Sequence, residues 1–505
     1  MEHGSALYLQ PFRNWDSPQK DAPMKMKLQK LLPWALVMAL AMMFAGPANA
    51  KALMLKPFKH LSDASKECVA CHKDKNPSLY NQWGRSKHFG ANVGCYECHQ
   101  ANSDDPDVIR HEGYNISVIV SPKDCSTCHN EEVKEFSASH HAKAAQIIGS
   151  LDNMLAEVVE GALTMNGESP AAVSGCWQCH GSDVKVMANG DLDPTTWPNT
   201  GIGRINPDGS VGACTACHQR HEFSMVQARR PESCGKCHLG PDHPQKEVYD
   251  ESKHGINFYA NVDRMNLDSS KWIVGEDYDA APTCATCHMS ATRELPVTHD
   301  VGDRISWTLR PAISEKIDAK AIKEGKKVKS WQERRRDMNA VCQACHTSSM
   351  VDSFYMQFDS LVELYNNKFA IPGKKMMTTL KDLGLMTDTA FDEKIEWTWF
   401  YLWHHEGRRA RHGAAMMAPD YTQWHGMYEV AERFYMELIP EYNEYVEKAE
   451  HDGNHEAAEK AKKVLAEILE SPEHLWFTGN EPDEVKEARK KAQAEFKKRY
   501  STESK

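Results

Sequence analysis

Beyond one apolar run near its start, the chain has no hydrophobic stretch long enough to cross a bilayer, which needs about 20 residues. No anchor of that kind lies near the C-terminus. There is no long basic tract, and 60 Lys+Arg stand against 71 Asp+Glu for a formal net charge of −11. That balance argues against nucleic acid as a partner. Sustained apolar/polar alternation is scarce, so a sheet-based fold is not expected. No cysteine is left over from the pattern described next, and none follows His346. What is present is a folded, water-soluble composition, 41% apolar and 26% charged over 505 residues, with 16 Cys and 25 His.

The cysteines form eight C-x-x-C pairs, each followed at once by His. These are Cys68, Cys71 and His72; Cys95, Cys98 and His99; Cys125, Cys128 and His129; Cys176, Cys179 and His180. They continue with Cys214, Cys217 and His218; Cys234, Cys237 and His238; Cys284, Cys287 and His288; Cys342, Cys345 and His346. At these residue frequencies about 0.03 such motifs would arise by chance. Zinc sites do not demand a His after every Cys pair. A disulfide framework would not add the His, and a thioredoxin-like pair would be single. C-x-x-C-H is the attachment signature of c-type haem. Two thiols on one helical turn reach the porphyrin vinyl groups, and the adjacent His is aimed at the iron as proximal ligand. The expectation is eight covalently bound c-type haems.

Residues 31–46 are an apolar run preceded by Lys25, Lys27 and Lys30 and followed by Ala48-Asn49-Ala50. This pattern predicts a leader and signal peptide over 1–50, cleaved after Ala50, and export to the periplasm or an equivalent compartment. Glu2, Asp16 and Asp21 do not suit a signal peptide, which points to Met24 or Met26 as the true start. The expected layout continues with an octahaem cytochrome c domain at 51–350 and a C-terminal helical domain at 351–505. Eight motifs between Cys68 and His346 leave about one haem per 35 residues, too few for a separate apolar core around each. The haems themselves must form much of the core. Past His346, helical periodicity runs through 354–369, 391–417, 421–448, 454–469 and 482–500. Pro419 should separate two of these helices and Pro440 should kink one. The fold class is therefore mainly α.

A haem iron held by two His suits electron transfer, and one with an open sixth position can bind a small molecule. Nine further His lie in the haem region: His60, His88, His111, His140, His141, His221, His243, His254 and His299. Eight of them, all but His243, are candidate distal metal ligands. His243 follows Asp242 directly and lies only five residues after His238, so it more naturally faces a different haem. An imidazole beside a carboxylate is suited to moving protons near neutral pH; the competing reading makes His243 one more distal ligand oriented by Asp242. His404, His405 and His425 read as helix-surface or packing residues.

The chain resembles the octahaem hydroxylamine oxidoreductase family, which includes hydrazine dehydrogenase. The resemblance rests on the eight motifs in order and the Cys-free helical last third. It also rests on Cys234 through Gln245 with Ser252-Lys253-His254-Gly255, and on His412-Gly413-Ala414 followed by 418–426. It implies that the haem of the fourth motif is catalytic and lacks a distal protein ligand, with Asp242 and His243 lining its open face. It implies a homotrimer in which a Tyr of the neighbouring subunit is bonded to that porphyrin, best matched by Tyr421 and next by Tyr428. Tyr355 is a further candidate near the pocket. The substrate implied is a small nitrogenous molecule, hydroxylamine or hydrazine, oxidised with electrons passing through seven bis-His haems to a soluble cytochrome c or similar partner. Reduction of nitrite or hydroxylamine on the same scaffold, or a non-catalytic electron conduit, are the alternatives. In an anammox organism the compartment would be the anammoxosome.

Overall fold

The computed structural model describes residues 60–148, 158 and 168–500. The leader and its cleavage site lie outside the described residues. These described residues belong to one compact unit. As expected, the chain is mainly helical; one two-stranded ribbon pairs Val108–His111 antiparallel with Tyr114–Ser117. Its turn is Glu112-Gly113, both at positive φ (49° and 91°), the two-residue geometry that matches the twist of a hairpin.

Each attachment motif sits in or at the end of a short helical turn. His218, His238 and His346 donate their backbone N–H to the carbonyl of the first Cys of their motifs at 3.0 Å. One α-type turn therefore stacks the imidazole beneath the two thiols. Between Leu61 and Ala216 the buried apolar side chains among the described residues are Leu61, Val69, Trp83, Ile119, Val184 and five alanines. That is too little apolar surface to hold some 150 residues together. The C-terminal third differs. Tyr365, Phe369, Leu380, Leu402, Phe434, Leu438, Tyr442 and Leu465 belong to one continuous core. Tyr442 Oη closes it with a hydrogen bond to the Ala461 carbonyl at 3.0 Å.

Two helices of that third run through a proline. Pro372 begins the stretch Ile371–Asp382 and Pro440 the stretch Ile439–His451. Each follows a π-helical segment, Asn366–Ala370 and Phe434–Leu438. Proline lacks an N–H and its ring crowds the carbonyl four residues back. A widened π turn absorbs both defects without ending the helix. Pro419 does stand at a boundary: Met417 closes the preceding helix in the left-handed region (φ 55°), and Pro419 opens the next.

The last third is tied to the region before it by polar contacts. Trp307 Nε1 donates to Asp359 at 2.7 Å, Arg335 pairs with the same carboxylate, and Asn366 Oδ1 accepts from the Ser314 backbone N–H at 2.9 Å. Arg411 lies over the Tyr365 ring at 4.1 Å.

Candidate haem sites and the Asp242–His243 pocket

Five motif histidines face a second His. The ring centroids are 6.1 Å apart for His72 and His111, 6.1 Å for His88 and His129, and 6.4 Å for His99 and His221. They are 6.0 Å apart for His141 and His238, and 6.1 Å for His254 and His346. Two metal–nitrogen bonds of about 2 Å each, plus the half-rings behind them, fill a gap of about 6 Å. These residues therefore fit an iron held between two imidazoles. His111 ends a strand of the hairpin, so the ribbon is what delivers that ring.

The proximal rings are also held in a suitable tautomer. Nδ1 of His72 meets Asn76 Oδ1 at 2.8 Å, Nδ1 of His99 the Ser117 carbonyl at 2.7 Å, and Nδ1 of His288 the Val301 carbonyl at 3.2 Å. With Nδ1–H donating, Nε2 is the atom left for a metal. His140 packs against Gly302, beside that Val301 carbonyl. His299 takes Glu135 through its backbone N–H at 2.8 Å and is an electrostatic neighbour of His218. His60 is exposed at the edge of the described residues.

His243 is different. Its ring is 6.2 Å from that of His238, but both of its nitrogens are engaged. Nδ1 is hydrogen bonded to Asp242, and Nε2 meets the Cys237 carbonyl at 2.9 Å. His141, which also faces His238, has the better claim to that iron. His243 is also an electrostatic neighbour of Cys179 of the fourth motif, and Cys179 is in turn a neighbour of Cys237 of the sixth. The fourth and sixth motifs thus meet at this pocket.

The local chain explains the placement. Gly240 takes φ +100° with no crowding at its α-carbon, so conformation and not space calls for glycine there. Its N–H donates to Glu247 Oε1 at 3.1 Å, and Lys246 N–H reaches back to the His238 carbonyl at 3.1 Å. The loop therefore folds onto the start of the helix Gln245–Glu251 and lifts Asp242 and His243 out of it. Burial pushes the Asp242 carboxyl up, but the hydrogen bond and charge of His243, joined by Arg408 and His404, hold it well below the usual carboxylate range. Burial pulls the His243 imidazole down, and Asp242 more than offsets this, so its pKa is raised.

Side chains that sequence reading passed over complete the pocket. His404, read as a surface or packing residue, does pack, stacked on Phe400 at 4.2 Å, and its Nε2 also lies 3.8 Å from Asp242 Oδ2. Arg408 Nη1 is 2.9 Å from the same oxygen. Gln245 Nε2 is 3.3 Å from Nε2 of the half-buried His412. His404, Arg408 and His412 recur every fourth residue, the spacing of one helix face. That periodicity was the available signal, but charged stripes usually face solvent. His425 does lie at the surface, paired with Asp420 at 3.5 Å and Glu429 at 3.0 Å.

The two tyrosines do not share one helix face. Gln423–Tyr428 is π-helical, so seven residues are not two α turns there. Tyr421 is half-buried with Glu247 and Glu251 as charged neighbours, whereas Tyr428 is 53% exposed beside Trp424. Tyr355 stacks on Arg335 at 4.1 Å and neighbours Cys342 and Cys287, which places it with the seventh and eighth motifs.

Comparison with known proteins agrees with the cofactor. The family "Seven times multi-haem cytochrome CxxCH" matches residues 208–391, and "Cytochrome c554 and c-prime" matches 41–100 and 124–202. A probable nitrite reductase–hydroxylamine oxidoreductase fusion protein of Kuenenia stuttgartiensis is 27% identical over 346 residues, 58% of this chain and 35% of that protein. The multiheme cytochrome MtrA of Shewanella baltica is 23% identical over 39% of this chain and 51% of its own length. The chain thus spans about a third and about half of these two relatives. Among solved structures, a hypothetical multiheme protein is similar with a TM-score of 0.67 and 28% identity, covering 78% of this chain and 97% of that one. A Kuenenia stuttgartiensis reducing HAO-like protein complex shares the fold at a TM-score of 0.57 and 18% identity, with 77% and 87% covered. With its attachment motifs and facing histidines, the chain is a multihaem cytochrome c.

Proposed function

We propose that this protein carries eight c-type haems and is a redox enzyme for a small nitrogen compound. In this reading it oxidises hydroxylamine or hydrazine at the fourth motif (Cys176, Cys179, His180) and passes the electrons through the other seven haems to a soluble cytochrome c or similar partner. Haem, when bound, supplies the electron sink and the route by which electrons leave. The observation that carries the reading is His243, which has both ring nitrogens tied to oxygens, is an electrostatic neighbour of Cys179, and is backed by Asp242. It is built to move protons and not to ligate. Oxidising an N–H or O–H compound releases protons with the electrons, and a His–carboxylate pair is the group to take them. The name of the Kuenenia fusion relative supports nitrogen chemistry of this kind. Export to the periplasm or an equivalent compartment, a homotrimer, and a Tyr421 or Tyr428 of a neighbouring subunit joined to the fourth haem belong to the same reading.

One observation favours the opposite direction. A carboxylate and a carbonyl both accept, so His243 as placed donates from both nitrogens and is an imidazolium. That is a proton donor, which reduction of nitrite or hydroxylamine would use. The two directions have opposite pH signatures. Oxidation needs the neutral ring, so its rate should rise as pH passes upward through the raised pKa of His243; reduction should fall over the same window. The holo-protein should be assayed with hydroxylamine and hydrazine against an oxidised acceptor, and with nitrite against a reduced donor, with products identified. Oxidation that rises with pH supports the first reading. Turnover only of nitrite, falling with pH, replaces it with the second.

A further inference from the structure

Asp242 is held from two sides by different parts of the chain. Oδ1 faces His243 from the loop behind the sixth motif. Oδ2 faces Arg408 at 2.9 Å from the helix Gly407–Met416, more than 160 residues later. The pairing is not a surface accident, since the Arg408 and Asp242 side chains are only 10% and 19% exposed. Arg408 Nη1 also lies 3.0 Å from His404 Nε2. The guanidinium can only donate, so His404 Nε2 accepts there. One turn further on, His412 meets Gln245 of the Asp242 loop. The helix turn bearing His404, Tyr401–Glu406, is π-helical, a local widening often found at functional sites. The charged and titratable groups around the pair are thus Arg408, His404, His405 and His412 from this helical run and His238 and Cys179 from the other side.

We infer that Arg408 is a positioning residue of the site. It fixes one carboxylate oxygen of Asp242 so that the other is presented to His243, and through this contact the C-terminal helix becomes a working part of proton transfer at the fourth motif. Without Arg408 the carboxylate is free to turn, and His243 loses the partner that sets its ring orientation. The inference rests on the reading of Asp242 and His243 as proton carriers.

Hydrogen cyanide is a probe that does not depend on the substrate, because it must give up its proton to bind ferric iron. Its binding rate should be followed against pH in the full-length oxidised holo-protein, for the unsubstituted chain, Arg408→Ala, Arg408→Lys, Asp242→Asn, and Arg408→Ala combined with Asp242→Asn. Orienting partners of this type typically carry about 10–100-fold in activity. We expect Arg408→Ala to slow binding at least tenfold at unchanged haem content and to displace the pH profile. The double variant should be little slower than either single one, because both act through one carboxylate. Arg408→Lys should recover part of the rate but not the pH profile, since an ammonium lacks the planar fork. If Arg408→Ala lowers the haem content, the Lys variant decides, and a profile identical to that of the unsubstituted chain overturns the inference. Multiplicative losses in the double variant also overturn it. If Asp242→Asn slows binding but Arg408→Ala does not, only the role of Arg408 falls. If the unsubstituted chain binds no cyanide, the reading beneath it falls and takes this inference with it.

Discussion

Asp242 and His243 are the proposed proton carriers, and what surrounds them decides what they can do. His243 Nδ1 and Nε2 both contact oxygens, while rings such as His72 and His99 engage only Nδ1 and leave Nε2 for iron. Changing His243→Ala should therefore leave the haem content and the low-spin bis-His signals intact while lowering turnover about 10²–10⁴-fold, the usual worth of a positioned acid or base. Haem stoichiometry and steady-state kinetics on the same sample check both halves. If His243 were instead an iron ligand, a new high-spin signal would appear. The cysteines and proximal histidines were legible in sequence because covalent attachment fixes their spacing. Distal rings were legible only as a pool of nine, since in the five facing pairs the partner comes from 39 to 122 residues away and nothing local records the pairing. The place of His404, Arg408 and His412 at this pocket was not legible because a polar stripe on a helix usually faces water; here it faces the Asp242 carboxylate.

At the scale of elements, the hairpin Val108–His111 and Tyr114–Ser117 does one visible job, which is to set His111 opposite His72. The substitution His111→Ala should convert one haem from low to high spin and leave the others unchanged, as read by electron paramagnetic resonance. The helices of the last third could be read from periodicity, but not the π turns ahead of Pro372 and Pro440, because hydrophobic spacing does not say where a helix widens. The helix carrying Arg408 is pressed close to its neighbour at Gly407. A Cβ there would lie 2.4 Å from the Tyr365 ring, which is fully buried. Gly407→Ala should cost about 1–3 kcal/mol through overpacking, measured by thermal or denaturant unfolding of the holo-protein. Because Arg411 stacks on the same ring, the variant should also disturb the approach to the Asp242 pocket.

Across the whole molecule, apolar burial is divided unequally. The motif-bearing part up to Ala216 buries little besides alanine and a few larger side chains, while the last third has a continuous core of its own. Haem must supply the missing interior of the first part, so the chain produced without haem should lose structure there and keep helix in the last third, a difference that limited proteolysis can read. The same division explains how much function the sequence disclosed. Attachment chemistry announces a multihaem cytochrome, but the site is assembled where the loop behind the sixth motif meets a helix from the distant last third. The central claim is that one iron among eight remains open to a small ligand at the pocket of Asp242 and His243. Carbon monoxide titration of the fully reduced holo-protein, with bound gas counted per haem, tests it most directly. The account predicts one carbon monoxide for every eight haems, with a binding rate altered by His243→Ala; no binding at all would leave only a chain of electron carriers and would contradict it.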